Sequence, residues 1–191
     1  PHPPFIPPKE YADKFDPNDM PGPTFEPSDV TAQKKLVEAD FQTASKPPEE
    51  SNAKEAQAKY YAMIALIDDE FGRLINHLES TGQINNTVVI FTSDHGETLG
   101  DHGLFYKGCR FYEGLTRVPL IFYAPGRFGE GLECDQLTEL LDMSASLLEI
   151  AGAETPDHHQ GYSLLPYLTG EDRSMNPFAM RHAASTSMLL P

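Results

Sequence analysis

The sequence predicts an α/β fold with a mostly parallel sheet flanked by helices, and three observations carry that reading. Apolar residues recur at steps of three and four from Tyr60 to Leu78, as on one face of an amphipathic helix. Thr87 to Ser93 is β-branched and continuously apolar in its middle, as a strand buried on both faces should be. A second short apolar run, Val118 to Tyr123, follows a glycine-rich loop, and a further helical pattern comes after it. Helix, buried strand, long loop, strand, helix is the alternation of α/β proteins.

Each element has its own justification. Residues 1–29 are proline-rich, so no α-helix is expected there. Phe5, Ile6, Tyr11 and Phe15 within that stretch suggest a loop pinned against a core rather than a free linker. Residues 30–50 are polar, helical as far as Ala44, and end at Pro47-Pro48. The main helix starts at a cap on Ser51 or Asn52 and stops at Gly82. Its apolar face is Tyr60, Met63, Ile64, Ile67, Phe71, Leu74, Ile75 and Leu78, which belongs to the core.

Gly96, Gly100, Gly103, Gly108 and Gly114 make residues 94–116 a long loop, and long loops inside compact domains are usually functional. Pro119 stands near the start of the second strand, where a missing N–H is tolerable. A second helix covers Asp142 to Ala151, with Gly152 as its stop, and the last ten residues are expected to be poorly ordered.

Composition removes some functions. The formal net charge of −15 argues against non-specific nucleic-acid binding, which needs clustered Lys and Arg. No apolar run approaches the ~20 residues of a spanning helix. An acidic surface repels anions at long range, so an anionic substrate needs a local positive site. Cys109 and Cys134 are the only cysteines. They make neither a zinc ribbon nor a disulfide framework, and whether they form a single bridge stays open. The chain opens on Pro1-His2-Pro3-Pro4 without an initiator Met, which suggests a start within a longer protein.

The chemistry concentrates where the first strand ends, at Ser93-Asp94-His95-Gly96. Ligands of open α/β sheets bind at the carboxyl ends of strands. A hard divalent cation prefers carboxylate oxygen, and a neutral imidazole can complete its shell, so Asp94 and His95 are candidate metal ligands. Gly96 is expected to give the chain freedom to turn there. Lys107, in the same loop, can reach back as a point charge for an anion. Arg110 and Arg117 offer further positive charge, Arg117 more plausibly for structure. Asp101-His102-Gly103 repeats the acid-imidazole-glycine pattern, for which a surface turn is the simpler explanation. His2 sits among prolines that can hold an imidazole at fixed geometry for proton transfer.

These segments together resemble the type I sulfatases of the alkaline phosphatase superfamily. The resemblance rests on Ser93 through Gly103, on Lys107-Gly108, and on Thr116-Arg117-Val118-Pro119-Leu120-Ile121-Phe122, in that order. The opening Pro1-His2-Pro3-Pro4, the segment Leu140 through Gly152, and Gly161-Tyr162-Ser163-Leu164-Leu165-Pro166 are similar to further stretches of that family. The likeness covers roughly residues 1–170, taken as the middle and later part of one α/β domain. Residues 171–191 are expected to be a poorly ordered tail or the start of a C-terminal subdomain.

The resemblance implies that Asp94 and His95 bind a calcium or magnesium ion. It implies that Lys107 and His2 contact the sulfate group, with His2 a candidate proton donor to the leaving oxygen. No role transfers to Glu97 or His102. The family's nucleophile is a formylglycine made within a Cys/Ser-x-Pro-x-Arg motif. Cys109 is followed by Arg110-Phe111-Tyr112 and Cys134 by Asp135-Gln136-Leu137, so neither cysteine fits that motif. In the family the motif and a further aspartate pair lie N-terminal to the segments seen here.

The expected activity of the parent protein is therefore hydrolysis of a small-molecule or saccharide sulfate ester. A phosphodiesterase or phosphonate monoester hydrolase on the same fold is the alternative, and an inactive, truncated chain is the third reading. By resemblance the protein would be secreted, periplasmic or lysosomal.

Overall fold

A computed structural model describes residues 1–32, 34–38, 43–108 and 110–170. Residues 171–191, with the expected tail, and Cys109 lie outside the described residues. In chain order the elements are α1 (Lys9–Ala12), α2 (Asp29–Ala32), α3 (Lys34–Glu38), α4 (Ala53–Ser80), β1 (Val89–Thr92), α5 (Glu113–Thr116), β2 (Leu120–Tyr123), α6 (Leu140–Ile150) and α7 (Leu165–Thr169). Single 3-10 turns stand between several of them, one of them at Asp101–Gly103. The described residues form two compact units, one within Pro1–Gly82 and Phe91–Leu120, the other within Gln83–Ile90 and residues 121–170.

In the first unit the proline-rich opening does hold one helical turn, contrary to expectation. α1 begins directly after Pro8, whose ring needs no N–H at a helix start. The pinned-loop reading holds for three of its four residues. Phe5 meets Tyr60 edge-on at 5.5 Å between ring centres, and Phe15 meets Tyr61 at 6.1 Å. Tyr11 donates its hydroxyl to Asp69 at 2.7 Å. Ile6 instead is 75% exposed. Of the helix expected from residue 30 to Ala44, the described residues give α2 and α3, and the chain is irregular from residue 43.

α4 confirms the long helix, but Asn52 precedes it without any side-chain cap. Its buried residues are Ala53, Ala56, Gln57, Ala58 and Ala62, not the larger apolar side chains. Small residues let neighbouring backbone come close. Gln57 accepts from the Gly22 amide at 3.1 Å and donates to the Leu99 carbonyl at 3.4 Å. Further along, Phe71 meets Phe91 of β1 at 5.4 Å, while Ile64, Ile67 and Leu74 stand exposed on the predicted core face.

β1 and β2 pair as a two-stranded sheet. β1 was expected to be buried on both faces from Thr87 to Ser93. It is shorter, with Val89 buried and the rest half-buried. A sheet of two strands covers neither edge, and β2 alternates between half-buried and exposed residues, leaving Ile121 and Tyr123 open.

The second unit is organised on α6. Asp142 and Ser146 are fully buried one turn apart. Asp142 accepts from the Glu139 amide at the helix start and from the Tyr162 amide, both at 2.8 Å. Ser146 accepts from the Leu164 amide at 2.8 Å and donates to the Asp142 carbonyl at 2.6 Å. The segment Gly161 to Leu165 is thus fastened to α6 by buried polar groups, each of which would be costly to strip of its partner.

Candidate active site

All four candidate site residues, His2, Asp94, His95 and Lys107, belong to the first compact unit. Asp94, His95 and Lys107 are presented by the end of β1 and the loop that follows it, and His2 by the proline-rich opening of the chain.

The strand ends in a tight turn. Ser93 Oγ donates to the His95 carbonyl at 2.7 Å, and Asp94 Oδ1 accepts from the His95 amide at 2.9 Å. The chain then runs antiparallel to the start of α5: the Gly96 amide donates to the Leu115 carbonyl at 2.8 Å and the Glu97 amide to the Gly114 carbonyl at 3.0 Å. Gly96 is needed here for a different reason than expected. Its φ is not left-handed, but a Cβ at this position would collide with the Gly114 carbonyl. The glycine serves close approach of two backbones rather than a turn.

The His95 ring is oriented by its own loop. Nδ1 lies 2.8 Å from the Gly96 carbonyl, which can only accept, so Nδ1 carries the proton. Nε2 is left with its lone pair, 3.8 Å from Asp94 Oδ2. Two coordination bonds of roughly 2.3–2.6 Å span more than that gap, so both atoms can ligate one ion. The Asp94 side chain is 82% exposed, and the His95 side chain 40%. The His95 amide hydrogen bond holds the Asp94 carboxyl below its usual range, with the charges of His95 and Lys107 adding to the effect. Asp94 is therefore an anionic oxygen donor throughout the neutral range. Donor type and spacing fit a divalent cation. Among the described residues no group of three or more His, Cys, Asp or Glu is arranged to hold a metal ion.

Lys107 and His2 come together. Lys107 Nζ is 2.5 Å from His2 Nε2, although 105 residues separate them. His2 Nδ1 lies 2.7 Å from the Pro3 carbonyl, so it too carries a proton and leaves Nε2 to accept from the ammonium. Lys107 follows Tyr106, whose backbone is left-handed at φ 67°. The Tyr106 carbonyl is held at 2.7 Å by the Thr98 hydroxyl and at 3.3 Å by the Thr98 amide. Thr98 is buried, and its amide also donates to the buried Glu97 carboxylate at 3.0 Å.

The remaining candidates part company. Arg110 is buried and is not a surface charge for an incoming anion. Arg117 is exposed and reaches Glu113 at 3.9 Å along one helical turn, a structural contact as expected. His102 is not a simple surface turn. Its ring stacks on Tyr112 at 3.8 Å, and Nδ1 stands 3.3 Å from the buried Asp29. Sequence reasoning missed Asp29, Thr98 and Tyr112. Asp29 and Tyr112 lie in no recognisable motif, Thr98 lies within the Ser93–Gly103 segment without a chemical signal of its own, and each matters through where the fold brings it.

A phosphonate monoester hydrolase from Silicibacter pomeroyi superposes with a TM-score of 0.81 at 33% identity, over 92% of this chain and 37% of that one. This defines the class as an α/β fold of the alkaline phosphatase superfamily. The family model described as Sulfatase matches residues 1–153, and the chain belongs to the sulfatase family. An arylsulfatase of Clostridium perfringens is 36% identical over 167 residues, 86% of this chain and 34% of that protein. A choline-sulfatase of Rhizobium meliloti is 31% identical over 195 residues, 98% of this chain and 37% of that protein. The chain thus spans little more than a third of the length of each of these relatives.

Proposed function

We propose that the protein containing this chain hydrolyses a sulfate ester, with Lys107 and His2 holding the sulfate group. The observation that carries this reading is the meeting of Lys107 and His2 across 105 residues, in a chain whose net charge is −15. An ammonium and an imidazole concentrate positive charge where the rest of the surface repels anions. The ammonium and the imidazole stand side by side, where an incoming anionic oxygen can replace their mutual contact with contacts of its own.

His2 is fixed by Pro3, so Nε2 is the atom that exchanges a proton with Lys107. A proton passed along this contact and delivered from His2 to the departing alkoxide oxygen would balance the charge that builds there. Asp94 and His95 would hold a calcium or magnesium ion, which when bound polarises the sulfate oxygens. A formylglycine contributed from outside the residues of this chain would supply the nucleophile. The 191-residue chain by itself is expected to be inactive, and by family the protein is expected to be exported or lysosomal. The substrate class is a small-molecule or saccharide sulfate.

A second reading, hydrolysis of a phosphonate monoester or phosphodiester, is favoured by the superposition on a phosphonate monoester hydrolase. The two are separated by assaying the full-length protein on an aryl sulfate, a phosphonate monoester and a phosphodiester, with wild-type Lys107 and with Lys107→Ala. Preference for the sulfate and a loss of about 10²–10³ in turnover, the usual cost of removing one such donor, are expected. Preference for the phosphonate would select the second reading. Unchanged turnover in the Lys107 variant would remove Lys107 from the assignment.

A further inference from the structure

We propose that His102, held by Asp29, is a positioning residue that sets Lys107 against the Asp94–His95 turn. The inference rests on the functional reading above and extends it to a residue with no contact to substrate.

Three separate parts of the first unit meet at His102. The ring lies flat on Tyr112, 3.8 Å between centres and 15° from parallel. Tyr112 is the residue from which α5 starts, and α5 is the element whose Leu115 and Gly114 carbonyls receive the Gly96 and Glu97 amides. One face of the imidazole therefore bears on the backbone that fixes Asp94 and His95. The second part is the loop itself. Leu104 accepts from the Gly100 amide at 2.8 Å, and the Thr98 hydroxyl, with one proton to share, lies between the Leu104 carbonyl at 2.9 Å and the Tyr106 carbonyl next to Lys107 at 2.7 Å. Two residues on from His102, the chain is thus tied to the backbone that presents the lysine.

The third part is an outer clamp from earlier in the sequence. The His102 amide donates to the Thr24 carbonyl at 2.7 Å, and its carbonyl accepts from Ser45 Oγ at 2.5 Å. Asp101 Oδ1 accepts from the Thr24 amide at 2.7 Å, and the Gly103 carbonyl accepts from the Lys46 amide at 2.9 Å. Asp29 fixes the ring: one carboxylate oxygen is 3.3 Å from Nδ1, while the other accepts from the Glu26 amide at 2.8 Å.

His102 also holds a left-handed backbone, φ 56°, which is strained for a residue with a Cβ. Leu99 and Tyr106 share that strain in the same loop. Strained residues persist only where the surroundings over-determine them, and such clusters mark sites where geometry matters to function. A loop that only needed to turn at this point would place glycine or asparagine there. An imidazole between a carboxylate and an aromatic face supplies a rigid brace instead.

The test uses the full-length protein with His102→Ala, His102→Asn and Asp29→Asn, each alone and His102→Ala also combined with Lys107→Ala. Asparagine tolerates the left-handed backbone and keeps an N–H donor near the position of Nδ1. On an aryl sulfate, His102→Ala is expected to lower kcat at least about tenfold, with KM changed less, since small misplacements of a catalytic group are costly. His102→Asn should recover part of the loss. Adding His102→Ala to Lys107→Ala should cost less than about twofold, because its effect runs through the lysine. An equal loss in both backgrounds would overturn the proposal and leave His102 a folding residue.

A second measurement does not depend on turnover. The ¹⁵N shift of His2 Nε2 reports its contact with Lys107, and it should move in His102→Ala and stay in His102→Asn. An unmoved shift in His102→Ala overturns the positioning role even if no ester is cleaved. An inactive wild type with the expected shift change would sink the sulfatase reading alone.

Discussion

Lys107 Nζ and His2 Nε2 lie 2.5 Å apart, although one belongs to a glycine-rich loop after β1 and the other to the proline-rich opening of the chain. The Pro3 carbonyl claims the other ring nitrogen of His2, so the direction of this contact is set: the lysine donates and the imidazole accepts. Substituting Lys107 by Met keeps the apolar stem and removes the donor. Folding stability should change by no more than about 0.5 kcal/mol, as at other exposed sites. In the full-length protein kcat/KM on a sulfate ester should fall by about 10²–10³. Thermal melts and steady-state kinetics on the same preparation check both halves.

Asp94 should titrate below its ordinary value of 3.8, because the His95 amide and the charges of His95 and Lys107 favour the ionised form. For a depressed carboxyl the ionised state persists as pH falls and is lost only through the lowered folded-state value. The ¹³C shift of the carboxyl against pH measures this, and in Lys107→Ala the midpoint should move back toward 3.8.

Metal binding should depend on both residues of the β1 turn. Treating the full-length protein with chelator is expected to abolish ester hydrolysis, and calcium or magnesium should restore it. Asp94→Asn or His95→Ala should weaken the ion by more than the roughly 10–100-fold typical of losing an outer-shell partner. Calorimetric titration with each ion gives the affinities. Unaltered affinity in both variants would remove the turn as a metal site.

Gly96→Ala should destabilise the protein by about 1–3 kcal/mol, the range for forcing atoms into a filled space. The added methyl meets the Gly114 carbonyl, and neither backbone can move without breaking the paired bonds Gly96–Leu115 and Glu97–Gly114. Denaturant unfolding measures the loss. Gly126→Ala is a matched control, since a Cβ there meets nothing; its left-handed φ of 74° still carries the ordinary backbone cost.

Tyr60 should ionise above 10.0, first because burial disfavours the phenolate and second because the Glu97 carboxylate repels it. A folded-state value raised above the unfolded one contributes stability that is fully present below pH 10 and lost as pH rises through the folded-state value. Ultraviolet titration should show a late phenolate component that Tyr60→Phe reduces, the remainder coming from Tyr11, which its hydrogen bond to Asp69 also raises. Denaturation midpoints of the wild type should decline over the same alkaline window, more steeply than those of the variant.

Much of the site was legible from the sequence because its residues fall in short segments of unusual composition. Ser93-Asp94-His95-Gly96 follows an apolar run, and adjacent residues beyond a strand end share one turn by covalent necessity. The helix over α4 and the helix over α6 were equally visible, since a period of three to four needs no knowledge of the partner. Which face of α4 is buried was not visible. The large residues Ile64, Ile67 and Leu74 outweigh alanines in any hydrophobic pattern, yet the alanines are what allow Gly22 and Leu99 to approach. The role of His102 was hidden for a similar reason. Asp29 and Tyr112 lie 73 and 10 residues from it, and nothing local announces that they meet.

The sequence by itself determined the class of fold, the order of its main elements, and the residue types able to hold an anion and a cation, because these follow from local composition and covalent neighbourhood. The tertiary structure decided which of them act together. It joined His2 to Lys107, turned His95 Nε2 toward Asp94, buried Arg110, and placed His102 between Asp29 and Tyr112. Contacts between distant segments depend on how closely backbones pack and where each hydrogen bond is satisfied, and those are settled only when the whole chain has folded.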